Sequence, residues 1–134
     1  MKIVNLGESN TVLNRFVAEL RDVNIQHDSL RFRRNIERIG EIMAYEISKD
    51  FAYSEKNIPT PLGIAPMYTP DNQVVISTIL RAGLPFHHGF LSYLDNAENA
   101  FVSAYRKYKD RLNFDIHIEY IASPALADKT LIVT

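Results

Sequence analysis

The stretch VVISTILRAGLP, residues 74–85, constrains this chain more than any other part of it. Val74, Val75, Ile76, Ile79 and Leu80 make a nearly continuous apolar run, largely β-branched, without the alternation of a strand that has one wet face. Such a run reads as a strand covered on both sides, and strands of that kind lie inside parallel sheets whose faces carry helices. We therefore expect a central parallel strand over residues 73–80. The run breaks off at Arg81, which is followed by Ala82, Gly83 and, two residues on, Pro85. A core strand that ends on an arginine has either just reached water or is delivering a cation to a cleft.

The rest of the chain supplies the layers that a covered strand requires. NTVLNRFVAELRDVN sets Val12, Phe16, Val17, Leu20 and Val23 on one helical stripe, with Asn10 or Thr11 as the cap. A second helix, capped by Asp28 or Ser29, turns Ile36, Ile39, Met43 and Ile47 inward and Arg31, Arg34, Arg38, Glu41 and Lys49 outward. Four of the six prolines fall between Pro59 and Pro70, which restricts YSEKNIPTPLGIAPMYTPDNQ to short edge strands or an irregular excursion, read as a hairpin-like link. Downstream, LPFHHGFLSYL reads as a short helix, and NAFVSAY and KTLIVT as two more covered strands. NFDIHIEYIA alternates Phe114, Ile116, Ile118 and Tyr120 with Asp115, His117 and Glu119. That is an exposed strand whose apolar face requires cover, expected as a projecting flap or arm that pairs within a dimer. The order of elements predicts an α/β fold, a parallel sheet flanked by helices, in a single domain over residues 1–134.

Charge and composition exclude several classes of partner. Fifteen Lys and Arg against sixteen Asp and Glu leave a net charge of −1, so bulk attraction to nucleic acid or an anionic membrane is not expected. The absence of cysteine removes thiolate nucleophiles and Cys-ligated zinc. With no apolar run long enough for a signal peptide or a membrane helix, the expectation is a soluble cytoplasmic protein.

Any anion site must then be local, and ligands of open α/β sheets bind beyond the carboxyl ends of the strands. Arg81 follows one covered strand and Arg106, in SAYRKYKD, follows the next, so both guanidiniums are expected to face one cleft. Their rigid forks of donors suit phosphate oxygens, and the N–H groups of the Ala82-Gly83 turn add further donors. Three other groups carry weaker signals. His87 and His88 are neighbours that point in different directions on a helix and lack metal-ligand spacing, so packing is expected of them. The arginines of RFRRNIER spread around their helix axis and read as a solvated or subunit-contact face. Asp115, His117 and Glu119 read as the ordinary outer face of a half-buried strand.

From ISTILRAGL through AYRKYKD to KTLIVT, with RFRRNIERIGEIMAYEISKDF and TPLG upstream, the chain resembles the uracil phosphoribosyltransferases over essentially its whole length. The resemblance implies a phosphoribosyltransferase-like sheet with N-terminal helices and a β flap. It implies transfer of ribose 5-phosphate from phosphoribosyl pyrophosphate (PRPP) to uracil, forming UMP and diphosphate, with Mg2+ accompanying the diphosphate. A homodimer or higher homo-oligomer is implied as well, with room for a nucleotide effector. By the same resemblance Arg81, Ala82 and Gly83 wrap the diphosphate with an unusual backbone at Arg81-Ala82, expected as a cis peptide, and Arg106 contacts PRPP. The sequence departs from the family in two places. RKYKDRLNFDIHIEY is rich in Lys and Arg where many members carry an acidic, proline-containing stretch. The family's PRPP loop begins just after the strand matching LIVT, where this sequence stops, so an incomplete domain without activity of its own is expected. Two alternatives stand beside this: a regulatory relative that binds nucleotide or RNA without turnover, and a fragment that serves only in assembly.

Overall fold

The structure, a computed structural model, describes residues 2–108 and 113–134. The covered run forms strand β3 (Val74–Leu80) at the interior of a four-stranded sheet of order β5-β4-β3-β6. β4 (Glu98–Tyr108) and β6 (Thr130–Val133) flank β3 in parallel, with Val75 opposite both Glu98 and Leu131. β5 (Phe114–Ala122) is antiparallel to the far side of β4, so the sheet is mixed rather than wholly parallel, and the expected flap is a strand of this sheet. Of the basic segment expected to depart from the family, Lys109, Asp110, Arg111 and Leu112 lie outside the described residues.

Three helices accompany the sheet: α1 (Leu13–Arg21), α2 (Ser29–Ser48) and α3 (Leu84–Leu91). Val74, Ile76 and Ile132 pack against Ala44 of α2 and Phe90 of α3, with Met43, Ile47, Phe86 and Leu94 around them. On the opposite face Ile79, Leu131 and Val133 are 55%, 44% and 73% exposed. β3 is therefore covered on both faces only at its start, and β6, expected to be a covered strand, is covered on one.

Asp28 begins α2 as expected, its Oδ1 accepting from the N–H of Leu30 and Arg31 at 3.0 Å each. The fully buried residues of that helix are Asn35, Gly40 and Ala44, while the large aliphatics of the expected inward stripe are half-buried, with Met43 and Ile47 packed on the core. The reason is a close helix crossing. A Cβ on Gly89 would overlap the carbonyl oxygen of Glu37 and lie 2.9 Å from the Cα of Gly40, so α2 and α3 meet backbone to backbone. In α1 the inward stripe is Leu13, Phe16, Val17 and Leu20, whereas Val12 and Val23 lie outside the helix and are exposed.

The proline-rich segment is a two-stranded hairpin, β1 (Tyr53–Thr60) and β2 (Gly63–Pro70), in full register from Tyr53–Pro70 to Thr60–Gly63. Both strands are edges, where a missing N–H leaves no ladder bond unmade. Gly63 sits at φ +128°, a conformation that favours glycine. The base is tied down by Asn72, whose side chain accepts from Ala52 N–H and donates to Thr130 Oγ1 of β6, both at 2.8 Å. Among the described residues no helix is long and apolar enough to cross a membrane.

Candidate functional site at the carboxyl end of the central strand

β3 leads through Arg81, Ala82 and Gly83 directly into α3, and this turn forms one wall of an open cleft of about 730 Å³. Arg81 is exposed in it, beside Leu80 and Ala82, and the opposite wall is Ser103, Ala104 and Tyr105 of β4 with Glu119 of β5. The peptide bond between Leu80 and Arg81 is cis. The unusual backbone thus falls one bond earlier than expected, at the residue that bears the guanidinium.

Only part of the turn is free to bind an anion. Gly83 N–H donates back to the Ile79 carbonyl at 3.1 Å and Leu84 N–H to the Arg81 carbonyl at 3.3 Å, which corrects the expectation that the Gly83 amide faces the ligand. Among the described residues the Ala82 N–H donates to no acceptor. Gly83 is required for contact rather than for conformation. Its φ of −73° suits any residue, but a Cβ there would overlap Thr78 Oγ1 and lie 3.0 Å from the Ile79 carbonyl. Thr78 is 1% exposed, and its hydroxyl donates to the Thr134 carbonyl at 3.4 Å. The turn is thereby seated on the central strand and on the end of β6.

Arg106 does not join Arg81. Expected beyond the end of its strand, it lies inside β4, opposite Ile116 of β5, because β5 extends the pairing of β4 to Tyr108. Adjacent strand residues face opposite sides of a sheet, and Tyr105 takes the cleft side. The Arg106 guanidinium instead stands 4.9 Å from the centre of the Phe114 ring, a cation–π contact.

A β-bulge decides what β5 offers to the cleft. Ala104 pairs with Ile118 but Ser103 pairs with Tyr120, which leaves Glu119 as the extra residue. Cross-strand partners share a face, so Asp115, His117 and Tyr120 stand on the side of Ser103, Tyr105 and Lys107. Ile116, Ile118 and Ile121 stand on the other side with Arg106, Ala104 and Val102. Strict alternation in the sequence had placed Tyr120 with the isoleucines and gave no sign of Ile121. Glu119 Oε2 accepts from Ser103 Oγ at 3.4 Å.

Of the two histidines expected to pack, only His87 does. His87 is 1% exposed, its Nε2 lies 2.6 Å from Asn99 Oδ1 of β4, and its ring stacks 5.3 Å from that of Phe101. Burial pushes the imidazole below its ordinary range, against the raising effect of the Asn99 hydrogen bond and with a smaller lowering effect from His88. His88 is exposed, and among the described residues no three His, Cys, Asp or Glu side chains converge on a metal position. Two arginines of the basic face of α2 are paired with carboxylates, a third lies over an aromatic ring, and Arg33 is exposed. Arg31 reaches Glu19 at 3.4 Å and Asp28 at 3.8 Å, Arg34 reaches Glu37 at 2.7 Å, and Arg38 lies 5.2 Å from the Phe16 ring centre.

Comparison with known proteins gives this geometry its context. The family model described as uracil phosphoribosyltransferase matches residues 8–133. A uracil phosphoribosyltransferase of Porphyromonas gingivalis is 66% identical over the whole chain, which spans 62% of that relative. One of Methanothermobacter thermautotrophicus is 37% identical over 108 residues, 79% of this chain and 49% of the relative. Among solved structures, the AQ2163 protein from Aquifex aeolicus superposes with a TM-score of 0.77 at 26% identity, over 93% of this chain and 58% of that one.

Proposed function

This chain belongs to the uracil phosphoribosyltransferase family, and from that premise we propose that its Arg81 cleft binds the diphosphate of PRPP while ribose 5-phosphate passes to uracil to give UMP. The observation that carries the proposal is the exposed Arg81 at the carboxyl end of the central strand, beside the unengaged Ala82 N–H. As the bond from the ribose carbon to the diphosphate oxygen breaks, positive charge grows on the sugar and negative charge on the leaving group. Arg81 and the Ala82 N–H, fixed beforehand by the Gly83–Thr78 contact, stabilise that negative charge without reorganising. No protein nucleophile is needed, and alignment of the uracil nitrogen, the ribose carbon and the leaving oxygen supplies much of the remaining rate.

Mg2+ belongs to the same proposal. The cleft has one carboxylate, Glu119, which fits an ion that arrives on the diphosphate rather than one caged by protein. When bound, such an ion neutralises charge on the diphosphate oxygens. Arg106, on the other face of β4, has no part in this assignment. A homodimer or higher homo-oligomer is proposed too, supported by the exposed Ile116, Ile118 and Ile121 of β5, and a nucleotide effector remains compatible with it.

The test is UMP formation from labelled uracil, PRPP and Mg2+, by the 134-residue polypeptide and by the same chain continued to the length of its relatives. The longer protein is proposed to form UMP and the shorter one to bind diphosphate without turnover. Inactivity of both would overturn the proposal, and turnover by the short chain would show that the catalytic elements lie elsewhere within it.

A further inference from the structure

We infer that Glu119 is the protein's contact for the divalent cation that travels with diphosphate, an inference that rests on the proposed reading of the Arg81 cleft. Its position at the cleft and two further observations converge on this residue. The β-bulge opposite Ser103 lies at the cleft, and its extra residue is Glu119. The carboxylate is then held by Ser103 Oγ at 3.4 Å, a donor from the neighbouring strand, while the residue remains exposed to the cleft. Finally, it is the one acidic residue among those lining the cleft, and it faces the wall that carries Arg81.

A carboxylate is a poor neighbour for a multiply charged anion. Left to itself, Glu119 repels diphosphate and offsets part of what Arg81 contributes. The arrangement becomes favourable once a hard cation lies between the two, because Mg2+ binds through one or two carboxylates together with phosphate oxygens and keeps several waters. The cleft has the matching composition, with a guanidinium for anion oxygens and a carboxylate for the cation. Glu119 is thus assigned as a selector for the metal-bound form of the diphosphate over the free form. Residue 119 follows Asp115 and His117 along the side of β5 shared with Ser103 and Tyr105, and Ser103 is its neighbour there.

The experiment is calorimetric titration of inorganic diphosphate into the chain and into Glu119→Gln, each with saturating Mg2+ and with chelator. Glutamine keeps the size of the side chain and its bond to Ser103, and position 119 is exposed, so the fold is not at stake; circular dichroism checks this. Mg2+ is expected to strengthen diphosphate binding to the unaltered chain by about tenfold or more. Glu119→Gln should lose most of that gain, while binding diphosphate in chelator at least as tightly as the unaltered chain. Retention of the full gain by the variant, or equal tightening with and without Mg2+, would overturn the inference and leave the cleft assignment standing. Failure of the unaltered chain to bind diphosphate under either condition would overturn both.

Discussion

Replacing Gly83 with alanine tests how the turn proposed to bind diphosphate is held. At φ −73° and ψ −13° the backbone of residue 83 already has a conformation that alanine prefers. On conformational grounds alone Gly83→Ala should stabilise the fold by about 0.4–1 kcal/mol, through the entropy of the unfolded chain. The contact opposes this. The new Cβ overlaps Thr78 Oγ1 and presses on the Ile79 carbonyl at 3.0 Å, and Thr78, 1% exposed beneath the turn, has nowhere to move. Overpacking of a well-packed site costs about 1–3 kcal/mol, so the net effect is a loss of roughly 1–2 kcal/mol. At roughly 3–5 °C per kcal/mol for a chain of this size, thermal unfolding should fall by several degrees. Diphosphate binding should weaken with it, because the displaced turn carries Arg81. Adding Thr78→Ala removes the overlapping oxygen, and the double variant should recover about 1 kcal/mol relative to the sum of the single changes. A stabilised Gly83→Ala with unchanged diphosphate binding would refute the seating of the turn on Thr78.

Gly89→Ala should destabilise the fold by at least about 1–3 kcal/mol in urea denaturation, because its Cβ meets backbone atoms of α2 that cannot swing aside. Gly7→Ala, whose nearest neighbour is the Asn5 side chain at 3.2 Å, should change little. His87 links stability to pH. Its folded-state pKa is depressed, so above its ordinary value of 6.5 both states are neutral there, and below it only the unfolded chain takes up the proton. Stability should therefore fall as pH drops below 6.5 toward the lower folded-state value, and His87→Gln should remove that part of the slope in denaturation curves recorded across the window.

Much of this architecture follows from local physical chemistry. The β-branched run required an interior strand, Asp28 marked the start of α2, and the prolines confined residues 53–70 to a ribbon of edges. Arg81 was legible as a cleft residue because it ends that run. What stayed hidden depended on partners distant in sequence. The α2–α3 crossing is made by Gly40 and Gly89, whose small size leaves no trace in a hydrophobic pattern. The side taken by Arg106 depends on how far β5 extends the pairing of β4, and a shift of one residue exchanges the two faces. The bulge at Glu119 interrupts an alternation that looks regular in the sequence, so neither Glu119 nor Ile121 stood out. The cis peptide falls at Leu80–Arg81, where no sequence signal separates it from the following bond.

The most direct measurement is the affinity for inorganic diphosphate, with Mg2+ present, of the unaltered chain, Arg81→Ala and Arg106→Ala. Hydrogen bonds to charged groups are worth about 1.5–3 kcal/mol, so Arg81→Ala should weaken binding roughly tenfold to a hundredfold. Arg106→Ala, which removes a guanidinium stacked on Phe114 away from the cleft, should leave binding unchanged. Undiminished binding by Arg81→Ala, or an equal loss in Arg106→Ala, would contradict the assignment of the diphosphate to the turn that ends the central strand.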